Sequence, residues 1–149
     1  MRYSKFALAP AVAGAAFIVS SQTARADFSG AYNPANWTLT TNGGSGTVNT
    51  AGAPFSISLT GRDGGAGGSN TDYTIAAAAG GLWSFHWLYT SNDTGTFDTG
   101  GYLLNGVYTA LASNAQTGAQ GDVLNVAVNA GDIIGFRVFS AVNLFGPGT

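Results

Sequence analysis

Residues 82–106 read LWSFHWLYTSNDTGTFDTGGYLLNG, and this run decides the fold class. Side chains of an extended chain alternate between faces. Trp83, Phe85, Trp87 and Tyr89 therefore share one face, and Leu82, Ser84, His86 and Leu88 share the other. An aromatic row of this kind specifies a strand half-buried in a packed sheet. Asn105-Gly106 then closes a hairpin, because both positions of a two-residue hairpin turn favour positive φ. Between strand and hairpin lies SNDTGTFD, rich in side-chain oxygens and poor in nucleophiles or bases.

The same grammar extends in both directions. Glycine clusters at 43–46, 64–68, 80–81 and 100–101 punctuate short segments rich in β-branched and aromatic residues. Strands are predicted at 37–41, 46–49, 55–60, 72–76, 82–90, 101–104, 107–111, 122–128 and 133–139. Three sets of alternate residues are expected to face a core: Phe55, Ile57 and Leu59; Leu124, Val126 and Val128; Ile134, Phe136 and Val138. The alanine run after Ile75 is followed at once by Gly80-Gly81, so a strand end is favoured over a helix. Many short strands without a helical period predict an all-β protein, a two-sheet antiparallel β-sandwich that is jelly-roll-like. The chain stops soon after the 133–139 strand, so that strand is expected at a sheet edge unless a further strand is missing.

Residues 1–26 stand apart. Arg2 and Lys5 precede a run of small and apolar residues over 7–19, and Ala24-Arg25-Ala26 supplies a small-x-small cleavage site. This pattern predicts a signal peptide cut after Ala26 and a single domain over 27–149. An uncleaved anchor is the alternative, although the run is shorter than the ~20 residues of a membrane span. Once the leader is removed, Arg62 and Arg137 face seven aspartates, a net charge of −5. Nucleic acid and anionic lipid both need clustered positive charge, so this composition argues against them. Neither cysteine nor glutamate occurs. Disulfides therefore contribute nothing despite export, and surface helices are not expected.

Candidate chemistry is sparse. Asn92, Asp93 and Asp98 are candidate calcium ligands, with Asp63 or Asp72 completing the set if the loops meet. The competing reading is an Asx-rich turn that caps its own backbone. Trp37, Tyr73 and Tyr108, near strand ends, are the candidate exposed rings for stacking on a sugar, with Trp37 and Tyr108 the pair chosen for mutation. The aromatics of 83–89, together with Tyr102, are assigned to the core. His86 is the sole histidine, placed mid-strand, and is expected to be structural. Arg137 points away from the apolar face and is expected to pair with a loop aspartate. The glycines of 64–68 have neither the lysine nor the helix start of a phosphate loop.

The mature chain resembles exported bacterial β-sandwich proteins of the PEP-CTERM sorting type. The resemblance is carried by Asn33-Pro34-Ala35-Asn36-Trp37-Thr38-Leu39, by the Gly-rich loop 61–69 with Asp63, and by Asn70-Thr71-Asp72-Tyr73-Thr74-Ile75. It continues through SFHWLYTS at 84–91 and GYLLNG at 101–106, then closes with VNAGD at 128–132 and GFRV at 135–138. It implies a protein at the surface or in the extracellular matrix of a Gram-negative bacterium, in an exopolysaccharide or biofilm setting. Partners would be extracellular polysaccharide or other surface proteins. Membrane contact would come only through a C-terminal anchor. The family's further strand, Pro-Glu-Pro motif, hydrophobic helix and basic tail do not follow Thr149, so the chain reads as a truncated member. No catalytic residue is assigned. The leading expectation is a non-enzymatic surface or matrix protein, and the alternative is a calcium-dependent carbohydrate-binding module. A small secreted hydrolase using Asp93, Asp98 and His86 is the remaining reading.

Overall fold

The computed structural model describes residues 23–25, 27–64, 67–91, 97–141 and 146–149. Its strands are β1 (Thr23–Arg25), β2 (Thr38–Thr41), β3 (Thr47–Asn49), β4 (Ser58–Thr60) and β5 (Ser69–Ala76). They continue with β6 (Gly81–Leu88), β7 (Asp98–Leu104), β8 (Val107–Ser113), β9 (Gln120–Val128) and β10 (Ile133–Ser140). Every predicted strand is present. The addition is β1, which lies inside the predicted leader and pairs in parallel with Leu82–Ser84 of β6.

One layer is a five-stranded sheet in the order β2-β5-β10-β7-β8. The other layer consists of a three-stranded sheet, β1-β6-β9, and the β3-β4 ribbon. The edge position expected for 133–139 is wrong. β10 is the middle strand of five, bonded along its whole length to β5 and over Ile134–Ser140 to β7. Sequence order says nothing of which neighbours flank a strand, and here both arrive from far upstream.

Alternation sorts the five-stranded sheet into two faces. Ile134, Phe136, Val138 and Ser140 of β10 point inward, in register with Ile75, Tyr73, Thr71 and Ser69 of β5. Phe136 is the hub of the core. Its ring centroid lies 5.9 Å from Trp37, 5.6 Å from Trp83 and 5.1 Å from Phe85. Trp83, Phe85 and Tyr89 are buried as expected, and Tyr102 meets Trp83 and Phe85 edge-on. Aromatic pairs in such tilted or edge geometries contribute beyond the area they remove from water.

Two expected core positions lie outside. Leu124 is 67% exposed because β9 carries a bulge opposite Ser84, with Asn125 at φ 61°. The extra residue reverses the facing, so Val126 and Val123 point in and Leu124 points out. Phe55 sits in the turn before β4 and is 90% exposed, while Ile57 and Leu59 reach the core.

The two hairpin turns at one end are tied together. Asn105 and Gly106 have φ of 50° and 81°, as the Asn-Gly signal requires. Asn105 Nδ2 donates to Asp132 Oδ1 at 3.0 Å, and the backbone N–H of Asn129 donates to Asp132 Oδ2 at 2.6 Å. These donors hold the Asp132 carboxyl below the usual carboxylate range, with the Asn129 backbone contributing most. A depressed folded-state pKa stabilises the fold above the unfolded value, and that stabilisation is lost as pH falls through the folded value. Asp132→Asn is therefore expected to lower Tm at neutral pH. It should narrow the gap to the wild type below pH ~4, the ordinary aspartate value. Thermal melts at pH 7 and pH 3 check this.

Candidate functional site

The outer face of the five-stranded sheet carries the most organised group of polar side chains among the described residues. Register places Asp72 of β5, Arg137 of β10 and Gly101 of β7 side by side. Arg137 Nε and Nη2 donate to Asp72 Oδ1 and Oδ2, each at 2.6 Å, a bidentate pair. Gly101 leaves space beside Arg137. A Cβ there would come within 2.7 Å of Tyr108 Cε2, so the Tyr108 ring of β8 leans across that gap. The Arg137 guanidinium carbon is 5.5 Å from the Tyr108 ring centre, and Tyr108 Oη and Thr99 Oγ1 are 2.9 Å apart. Each member of the cluster is thus held by another.

The electrostatics agree. The hydrogen bonds that Arg137 donates to Asp72 raise its pKa above the ordinary value, so the guanidinium stays charged. Burial is the main cause that pushes the Tyr108 hydroxyl up, so it stays protonated. The partly exposed ring supplies an apolar surface, Arg137 supplies fixed donors, and Asp72 supplies acceptors. Together these groups suit a hydroxyl-rich ligand.

No protein-family model, curated protein or solved structure matches this chain. The site reading therefore rests on these side chains.

The other predicted site residues scatter. Trp37 was expected as an exposed ring and is 9% exposed, stacked on Tyr73 and Phe136. The turn at 34–36 swings it inward, and its indole N–H donates to the Tyr32 carbonyl at 2.9 Å. Tyr73 is likewise buried, at 3% exposure. Asp72 and Asp98 lie on opposite faces of the five-stranded sheet, so one ion cannot take both. Asp72 was expected in a loop, yet it stands mid-strand and is committed to Arg137. Asp63 is an exposed loop residue, and Asn92 and Asp93 lie outside the described residues. Among the described residues no group of three or more acidic, histidine or cysteine side chains is arranged to hold a metal.

Asp98 opens β7 at 0% exposure and accepts from the Gly148 N–H at 3.0 Å. It stands abreast of Ser140 and Ser69 on the inner face. Gly61 closes over that row, since a Cβ there would lie 2.8 Å from Ser140 Oγ. His86 stands on the other sheet with Nδ1 3.0 Å from Asp122 Oδ1, and both side chains are about 60% exposed. The structure does not bring His86 and Asp98 together.

Proposed function

We propose that the chain is an exported, non-enzymatic β-sandwich protein of the bacterial surface or extracellular matrix that works by binding exopolysaccharide. The observation that carries the binding half is the interlocked Tyr108–Arg137–Asp72–Thr99 cluster on the outer sheet face. Its groups are preorganised, so little conformational entropy is lost when a sugar docks. Export is supported by the charged start, apolar run and Ala-x-Ala site of 1–26, and by the family resemblance.

Fractionation of an expressing Gram-negative host, followed by intact mass, tests export. The expected product lies outside the inner membrane and begins at Asp27. A full-length chain in the cytosol contradicts it. Retention of that exported product by immobilised exopolysaccharide tests the binding half.

The calcium-dependent variant of this reading has less support, because Asp72 and Asp98 are not convergent. Adding calcium or a chelator is expected to leave Tm unchanged. A ligand that binds the native state at a hundredfold excess over its Kd would add ~2.7 kcal/mol, a shift of several degrees. Such a rise would favour a calcium-dependent module.

A further inference from the structure

Charge on the outer face of the five-stranded sheet is confined to one pair. The strands β2, β5, β7, β8 and β10 hold three charged residues, Asp72, Asp98 and Arg137. Asp98 faces inward, so Asp72 and Arg137 are alone outside. Register flanks them with uncharged groups, Thr74 on one side and Asn70 and Thr99 on the other. Residues 27–149 contain no lysine, and their other arginine, Arg62, lies beyond β4 in the other layer.

The one cation on this face is already answered. Arg137 gives its Nε and Nη2 to the two Asp72 oxygens, a fork with which arginine grips a carboxylate. The two side chains are only 21% and 17% exposed. A ligand carboxylate placed at Arg137 would stand beside Asp72 as a second anion, partly out of water. An uncompensated charge in such a setting is costly. The Tyr108 ring opposes it too, since the face of an aromatic ring is the negative side of its quadrupole. A sugar hydroxyl meets none of these costs. It accepts from the remaining Arg137 N–H groups or donates to the second lone pairs of Asp72.

We infer, resting on the sugar-binding reading of this face, that it selects uncharged polysaccharide and rejects chains bearing uronate or other acidic groups. Asp72 is the residue that sets the preference. At longer range the two arginines and seven aspartates of residues 27–149, a net charge of −5, act in the same direction.

Matched probes test the inference. Soluble glucan, mannan and galactan are each titrated beside a partner whose primary hydroxyls have been oxidised to carboxylates. At least one neutral probe is expected to bind the wild type, and its oxidised partner to bind about tenfold or more weakly. Salt should leave the neutral affinity unchanged and narrow the gap, because screening shortens the reach of charge from ~30 Å at about 0.01 M to ~8 Å at about 0.15 M. Asp72→Asn uncovers Arg137 and is expected to gain about tenfold for the oxidised probe while holding the neutral one. Asp122→Asn makes the same change in net charge on the other sheet and should keep the wild-type preference. Adding Arg137→Gln to Asp72→Asn should remove the gain. A merely structural Asp72 would weaken both probes alike.

An oxidised probe bound as tightly as its neutral partner by the wild type overturns the inference and leaves the sugar-binding reading standing. So does an Asp72→Asn variant, folded by circular dichroism, that gains no more than Asp122→Asn. If Asp72→Asn does not fold, the wild-type comparison decides. Binding of no probe by the wild type overturns the sugar-binding reading and this inference with it.

Discussion

Trp37→Ala is expected to destabilise the fold by about 3–5 kcal/mol, the range for truncating a buried aromatic. Three losses combine at this position. The indole is 9% exposed, so truncation leaves a cavity where close-packed rings met. It stacks on Tyr73 at 5.1 Å and on Phe136 at 5.9 Å, with interplanar angles of 16° and 11°. Phe28 lies tilted against it at 5.6 Å. Its N–H also satisfies the Tyr32 carbonyl at 2.9 Å, and truncation leaves that half-buried acceptor to solvent. Leu39, two residues on, is 40% exposed, and Leu39→Ala is the control, expected within roughly 0.5 kcal/mol of wild type. Urea unfolding of both variants checks the contrast. Equal small losses would mean that Trp37 lies at the surface.

Trp37 also shows where sequence reading stops. Alternation is a local property, so the burial of Trp83, Phe85 and Tyr89 could be read directly from period two. The inward swing of Trp37 depends on a short turn at 34–36 and on rings supplied by β5 and β10, and none of these leaves a local trace. Leu124 failed for a related reason. A bulge at Asn125 shifts the phase by one residue, and period two carries across it only if the extra residue is known. Asn105-Gly106 and the cluster at 43–46 marked chain reversals correctly because positive φ is required within the turn itself, whereas Gly100-Gly101 stands inside β7.

The outer-face cluster was only half legible. Tyr108 was a candidate ring, and Arg137 was expected to pair with an aspartate. Their meeting depends on β10 lying between β5 and β7, the arrangement that the expected edge position denied. With β10 central, Asp72 and Arg137 become cross-strand partners, and Gly101 clears the path for Tyr108. The same register removes Asp72 from any ion site. Topology decided the chemistry here, and topology is a non-local fact.

The second large effect concerns ligand binding. Tyr108→Ala removes the ring from the cluster while Arg137 keeps its bidentate bond to Asp72. The ring is the apolar surface on which a sugar would pack. Aromatic contacts of this kind contribute about 0.5–1.5 kcal/mol beyond buried area. With the area included, loss of about tenfold or more in affinity is expected, since tenfold is 1.4 kcal/mol. Tyr108→Phe keeps the ring and gives up only the Thr99 hydrogen bond, so it should fall between. Both variants should remain folded, because Tyr108 lies partly exposed on the outer face and away from the core clusters.

Calorimetric titration of the exported chain and its Tyr108→Ala variant with soluble exopolysaccharide is the most direct test. The expected result is saturable binding by the wild type, weakened about tenfold or more in a variant that remains folded. Absence of wild-type binding, or equal affinity in the two proteins, would contradict the assignment of this sheet face as the site.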